Sequence, residues 1–326
     1  MPLLNEKLLS IARAVEFRSG ERLLRQGEPA RGAFVLRAGE VEALVALPGG
    51  GTLSVARLAS GDMLGETALI ERATCMASVV ARSEVAGWFV DRDDFRALVA
   101  GRDSEGFALQ RAVTALLAAK LRAATARLLE HPAAEDRPAA QPIQRARAEP
   151  SYDWRRFLPV LPFFEGFPAD DIAALVEGCP VFELERGATL SGAGDAGHAA
   201  YLVLRGAIEV VFPAGSLERR ITVAGPGELV GYLAVLERSV QFMTARVRES
   251  ACLMELGSEQ LLRHYEDSSS TTVRLQRAIH RSLLQALART NTQLIRLISH
   301  ARLNAARNAA EDLEQALHGQ IVLAYN

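Results

Sequence analysis

Gly61-Asp62-Met63-Leu64-Gly65-Glu66-Thr67-Ala68-Leu69, followed by Ile70-Glu71-Arg72 and then by Met76-Ala77-Ser78-Val79, is the stretch on which the reading of this chain turns. Two glycines four apart permit tight turns, and the second lets a ligand approach bare backbone amides. An acidic residue follows at once. The small Thr67-Ala68 pair then opens one short helical turn, whose first N–H groups form an anion-binding concavity. Alone this is a weak motif, but the chain carries it twice.

The second copy is Gly227-Glu228-Leu229-Val230-Gly231-Tyr232-Leu233-Ala234-Val235, followed by Leu236-Glu237-Arg238 and Met243-Thr244-Ala245. Gly61 to Gly227 and Gly65 to Gly231 are steps of 166; Gly20 to Gly187, Gly27 to Gly194 and Gly39 to Gly206 are steps of 167. The one-residue slip falls where the first copy reads Leu47-Pro48-Gly49-Gly50-Gly51, a hairpin tip that tolerates length changes. Glu42 with Glu209, and Glu71-Arg72 with Glu237-Arg238, complete the match. The chain is a tandem repeat of one domain of roughly 130 residues.

Each copy resembles a cyclic-nucleotide-binding domain, the β-roll of catabolite-activator-type regulators, protein kinase A regulatory subunits and gated channels. The resemblance covers about residues 8–130 and 154–300. It rests on the spaced glycines, the aromatic positions Phe17, Phe34, Phe182 and Tyr201, and the cassette. It implies a mainly β fold with flanking helices (α+β), two jelly-roll β-barrel domains each followed by a long helix. The expected division is 1–130 for the first domain with its helix and 131–152 for a linker. The second domain then takes 153–269, and 270–326 a long C-terminal helix and tail.

Composition narrows the function classes. The 326 residues are 49% hydrophobic and 23% charged, enough for two cores, and the net charge of −2 leaves no general basic surface for nucleic acid or anionic lipid. Three cysteines (Cys75, Cys179, Cys252) make no disulfide framework. There is no signal-peptide pattern and no run of 18 apolar residues, so a cytoplasmic protein without a membrane span is expected. The six histidines lack metal-ligand spacing, and no nucleophile–base arrangement or paired catalytic carboxylates can be read, so neither metal nor enzyme is expected.

In chain order, helical spacing predicts a helix over Leu3–Val15, then short strands to Leu58, the cassette, and strands over Ala77–Arg82 and Val85–Val90. Asp91 caps a helix over Arg92–Val99, and a long helix runs over Phe107–Leu129. His131–Ser151, with four prolines and little to bury, reads as a mobile linker. The last helix, about Ser270–His318, carries an apolar seam of Leu275, Ile279, Leu283, Leu287, Leu294 and Ile298. Its length predicts a parallel homodimer through this helix rather than a fold-back on its own domain.

The resemblance also implies site residues. A cyclic phosphate would sit on the helix-start amides, an Arg nine residues after a Glu would pair with it, a Ser or Thr would stand twelve after, and the Glu would hold the ribose hydroxyl. The first pocket then comprises Leu64, Gly65, Glu66, Thr67, Ala68, Arg72, Cys75 and Ser78, with Cys75 at the Arg place. The second comprises Gly231, Tyr232, Leu233, Ala234, Arg238, Gln241 and Thr244, with Tyr232 at the Glu place and Gln241 at the Arg place. Loss of a charged partner for a buried phosphate costs about 1.5–3 kcal/mol. Arg72 and Arg238 are the candidate substitute cations, although a surface Glu-Arg pair at a helix end is the commoner role for such residues.

These features point to a non-enzymatic regulatory sensor or adaptor with two degenerate pockets and a protein partner in signalling. The alternative is a receptor for a cyclic nucleotide or cyclic dinucleotide, the only cofactor class implied, with altered contacts in the first domain. A DNA-binding regulator is the third class. It would need a groove-reading helix pair, and the Ala-rich stretch after His300 shows no turn for one.

Overall fold

The computed structural model describes residues 6–47, 50–70, 74–100, 104–130 and 136–324. The first half runs α1 (Glu6–Ile11), β1 (Ala12–Phe17), β2 (Arg22–Leu24), β3 (Gly32–Ala38), β4 (Val41–Ala46), β5 (Thr52–Leu58), β6 (Met63–Leu64), α2 (Thr67–Ile70), β7 (Ser78–Ala81), β8 (Val85–Asp91), α3 (Arg92–Ala100) and α4 (Ser104–Leu129). After β9 (Arg137–Pro138), 3-10 turns at Trp154–Val160 and Pro162–Phe164 lead into the second half. That half holds α5 (Ala169–Val176), β10 (Val181–Leu184), β11 (Thr189–Ser191), β12 (Ala199–Ala214), β13 (Leu217–Ala224), β14 (Leu229–Val230), α6 (Tyr232–Leu236), β15 (Thr244–Gly257), α7 (Ser258–Glu266) and α8 (Ser270–Ala324).

In the first half two four-stranded antiparallel sheets, β1-β8-β3-β6 and β2-β7-β4-β5, face each other. Alternate residues of β4, Val41, Ala43 and Val45, turn inward and are buried. The second half makes the same roll from two long bulged strands, β12 and β15, in a sheet ordered β10-β15-β12-β13-β9. The architecture is therefore a pair of sheet rolls rather than closed barrels. Equivalent turns close with equivalent bonds: Gly27 N donates to Cys75 O (2.9 Å) as Gly194 N does to Gln241 O (2.8 Å). Gly61 N likewise donates to Leu36 O (2.9 Å) as Gly227 N does to Val203 O (2.8 Å).

Asp91 caps α3 as its sequence predicts, its Oδ1 accepting from Asp93 N at 2.8 Å. Three other expectations are corrected. The N-terminal helix stops at Ile11, because Ala12–Phe17 pairs antiparallel with β8, with Val15 opposite Gly87. That ladder outweighs a weak helical period.

The described part of the linker is not a free tether. Arg137–Pro138 adds a strand to β13, Ala148 bridges Glu183, and Ile143 exchanges bonds with Thr189. Its arginines seek acids on the second roll: Arg137 reaches Glu209 (2.6 Å) and Glu218 (2.8 Å), and Arg147 reaches Glu255 (2.7 Å).

The apolar seam on α8 has its partner inside the chain. Leu275, Ile279, Leu283 and Leu287 are at most 5% exposed and share one core with Leu109, Val113, Leu117 and Leu121 of α4. Each α8 residue in that set stands 166 positions after its counterpart. Two direct contacts keep the same offset: Thr114 Oγ1 lies 2.7 Å from His280 Nε2, and Leu128 packs with Leu294. The helices therefore run parallel and in register about a pseudo-two-fold axis. The residues assigned to a homodimer seam are buried by the fold-back reading instead, and Ile298 is half-buried on the Leu128–Ile221–Leu294 cluster. At about 1.5–3 kcal/mol for each fully buried Leu or Ile, this seam is a main contributor to joining the halves.

Candidate ligand cavity

In the first roll β6 delivers the chain to Gly65, whose φ of +74° turns it into α2. A Cβ there would stand 2.9 Å from Gly32 O, so the position is closed to side chains. Glu66, next in line, is 5% exposed and held by a cation absent from the sequence-derived site. Lys120 Nζ, from α4, lies 2.7 Å from Glu66 Oε2 and donates to Met63 O at 2.8 Å. Leu64, Gly65, Glu66, Thr67 and Cys75 all line a cavity of about 770 Å³. Ala68 is buried behind α2. Ser78 does not line the cavity; its Oγ accepts from Gln26 N at 3.0 Å. Arg72 lies outside the described residues. Burial pushes the Cys75 thiol up, aided by Glu28, so at neutral pH it stands uncharged where the resembling domains place an Arg.

The cavity is walled from two sides. Lys120, Ala123, Ala124 and Arg127 come from the roll's own α4, whereas Leu287, Ala288, Asn291 and Leu294 come from α8 of the other half. Among the described residues Arg127 Nη2 makes one contact, to Ser54 O at 3.5 Å, and the Arg57 side chain is 81% exposed beside Glu42.

The second roll shows the same frame, filled. Gly231 has φ +78° and starts α6, and Gln241 Nε2 donates to its carbonyl at 3.2 Å. Tyr232, 7% exposed, takes the room that the first roll leaves open, and burial raises its hydroxyl pKa. Gly231, Tyr232, Leu233 and Gln241 surround a remnant of about 100 Å³. Ala234 is buried outside it, and Thr244 Oγ1 accepts from Ala193 N at 3.0 Å, the counterpart of the Ser78 bond. Arg238 pairs with Glu266 at 3.1 Å on the surface and does not line the remnant. The closing cation here is Arg289 on α8, 2.5 Å from Glu228.

Lys120 was missed because a lone Lys on a helix resembles any solvated face. The copies held a signal: position 120 corresponds to Ala286 and position 123 to Arg289, so the closing cation has moved by one turn between repeats. Among the described residues no group of His, Cys, Asp and Glu could hold a metal ion, and no helix is long and apolar enough to cross a membrane.

Paired rolls with glycine-turned cassettes, each walled by long helices, define a tandem class of regulatory-domain fold. The chain belongs to the cyclic nucleotide-binding domain family, whose model matches residues 14–102 and 181–268. It is 36% identical over 90 residues to the acetyltransferase Pat of Mycolicibacterium smegmatis, a match over 28% of this chain and 27% of that one. The aligned segment thus spans about a quarter of that relative's length. Among solved structures it is similar to the regulatory domain of Toxoplasma gondii PKA with cAMP, with 18% identity, a TM-score of 0.32, and coverage of 80% of this chain and 85% of that one. It is also similar to the regulatory subunit of a cAMP-independent protein kinase A from Trypanosoma brucei, with 19% identity, a TM-score of 0.33, and coverage of 83% and 82%.

Proposed function

We propose that this chain is a non-catalytic regulatory sensor or adaptor, acting in the cytoplasm, whose first roll receives a ligand and whose second roll is a fixed scaffold. The single observation that supports this reading is the contrast between a cavity of about 770 Å³ and a remnant of about 100 Å³ in equivalent places. The shared α4–α8 pair would pass the state of the first cavity to a protein partner. Self-association through α8 would have to use a surface other than the seam over residues 275–287, which is taken up within the chain.

A second reading, a receptor for a cyclic nucleotide or cyclic dinucleotide with altered phosphate contacts, draws support from Arg57 and Arg127 at the cavity wall. Calorimetry against cyclic AMP, cyclic GMP and cyclic di-GMP separates the two. Under the first reading the unaltered protein binds them weakly, Cys75→Arg strengthens cyclic AMP binding, and Gln241→Arg alone adds none because Tyr232 still fills the second site. Micromolar binding of any of the three by the unaltered protein selects the receptor reading.

A further inference from the structure

Resting on the reading that the first roll receives the ligand, we infer that its site is composite, completed by α8 of the other half, and takes an uncharged, largely apolar ligand. At the cassette end of the cavity the charges cancel, while Arg57 and Arg127 stand elsewhere on its wall. Glu66, the acid of the cassette, is neutralised by Lys120 at 2.7 Å, and the same ammonium is further occupied by Met63 O at 2.8 Å. An anion at the cassette would have to compete for Lys120 against a buried carboxylate, an exchange that costs a desolvated pair.

No other described cation reaches that point. Arg127 follows Lys120 by seven residues on the same helix, so it stands about 10 Å farther along the wall. Arg57 extends into solvent. The neutral Cys75 thiol holds the place from which the resembling domains would present a guanidinium.

Apart from Arg57 and Arg127 the rest of the wall is mostly apolar, and beside the cassette no uncompensated charge remains. Glu66 Oε2 is engaged while Oε1 is left to accept from a hydroxyl. The Asn291 amide, which has no hydrogen bond within the described residues, offers one donor face and one acceptor. Such a lining suits a ligand buried for its apolar surface and oriented by few polar contacts. Because Asn291, Leu287 and Ala288 belong to α8, occupancy is sensed on the helix that the second half contributes.

The test uses two dyes of one skeleton, neutral N-phenyl-1-naphthylamine and its sulfonated analogue 8-anilino-1-naphthalenesulfonate. Titrated into the full chain, the neutral dye is expected to bind at one site, at least tenfold tighter than the sulfonate. Ala288→Trp, on the α8 wall, and Ala123→Trp, on the exposed α4 wall, should each weaken it at least tenfold. Gln285→Trp, exposed and on the second roll's side of α8, should leave it unchanged. Cys75→Arg should bring the sulfonate to parity or better.

A sulfonate that binds as tightly as the neutral dye, at a site both tryptophans block, overturns the uncharged-ligand inference while sparing the sensor reading. Blocking by Ala123→Trp but not by Ala288→Trp overturns the composite site. If neither tryptophan affects either dye, and circular dichroism shows both variants folded, the first roll is not the receiver and both readings fall.

Discussion

At the scale of single residues, two buried groups set measurable expectations. Lys120 is the only described cation that answers the Glu66 carboxylate, so Lys120→Met strands a charge that is 7% exposed. The expected loss is about 2–3 kcal/mol in urea unfolding, at the low end for a buried pair because the lysine is a quarter exposed. Adding Glu66→Gln should recover most of it, and a double-mutant cycle with no coupling rejects the pair. His280 sits between the halves, 3% exposed, its Nε2 donating to Thr114 Oγ1, which also accepts from Tyr265 and donates to Gln110 O. Burial lowers its pKa to about 4. The unfolded chain therefore binds the proton first: stability from neutral His280 is complete above about pH 6.5 and is lost as pH falls toward 4, by about 3 kcal/mol in the limit. Urea midpoints between pH 7.5 and 4.5 should show this slope, and His280→Gln should flatten it.

At the scale of elements, the strap at 136–148 and the α4–α8 seam carry the argument. Burial alone would raise the Glu218 pKa, but Arg246 and Arg137 pull it down to about 2, so the strap is tied by charge down to strongly acidic pH. Arg137→Ala leaves Arg246 on both acids, and with Arg137 itself 41% exposed the stability cost should stay near 1 kcal/mol. Its readout is local: cleavage by limited proteolysis between Asp136 and Ala148 should quicken severalfold while the global midpoint barely moves. Unchanged cleavage refutes the clasp. These two elements also mark what the amino-acid order could and could not convey. Glycine spacing announced the rolls, because a positive φ at Gly65 or Gly231 excludes most side chains. Proline density suggested a loose linker, yet its arginines meet acids far away in sequence, and no local pattern encodes such pairing. The leucine seam announced that α8 needs a partner, but periodicity cannot say whose. The same four positions on α4, a step of 166 earlier, were the available clue.

At the scale of the whole molecule, two copies in one chain arrange themselves as two subunits would about a dyad. Since the seam closes intramolecularly, Leu283→Ala should lower stability by about 2–5 kcal/mol with a melting temperature independent of protein concentration. A midpoint that climbs with concentration points to a second chain in the seam. Both halves should melt in one transition, because α4 and α8 share a single core. The unequal cavities have a further consequence, for dose and response. A symmetric pair with two working sites can sharpen its answer, since the first molecule bound eases entry of the second. On the proposed reading one receiver serves both rolls, so occupancy is expected to follow a plain hyperbola with a Hill coefficient of one, passing from a tenth to nine-tenths full over roughly an 80-fold rise in ligand. A single receiver of this kind would give up the sharp threshold and serve as a graded gauge, one that reports how much ligand there is rather than whether it has arrived.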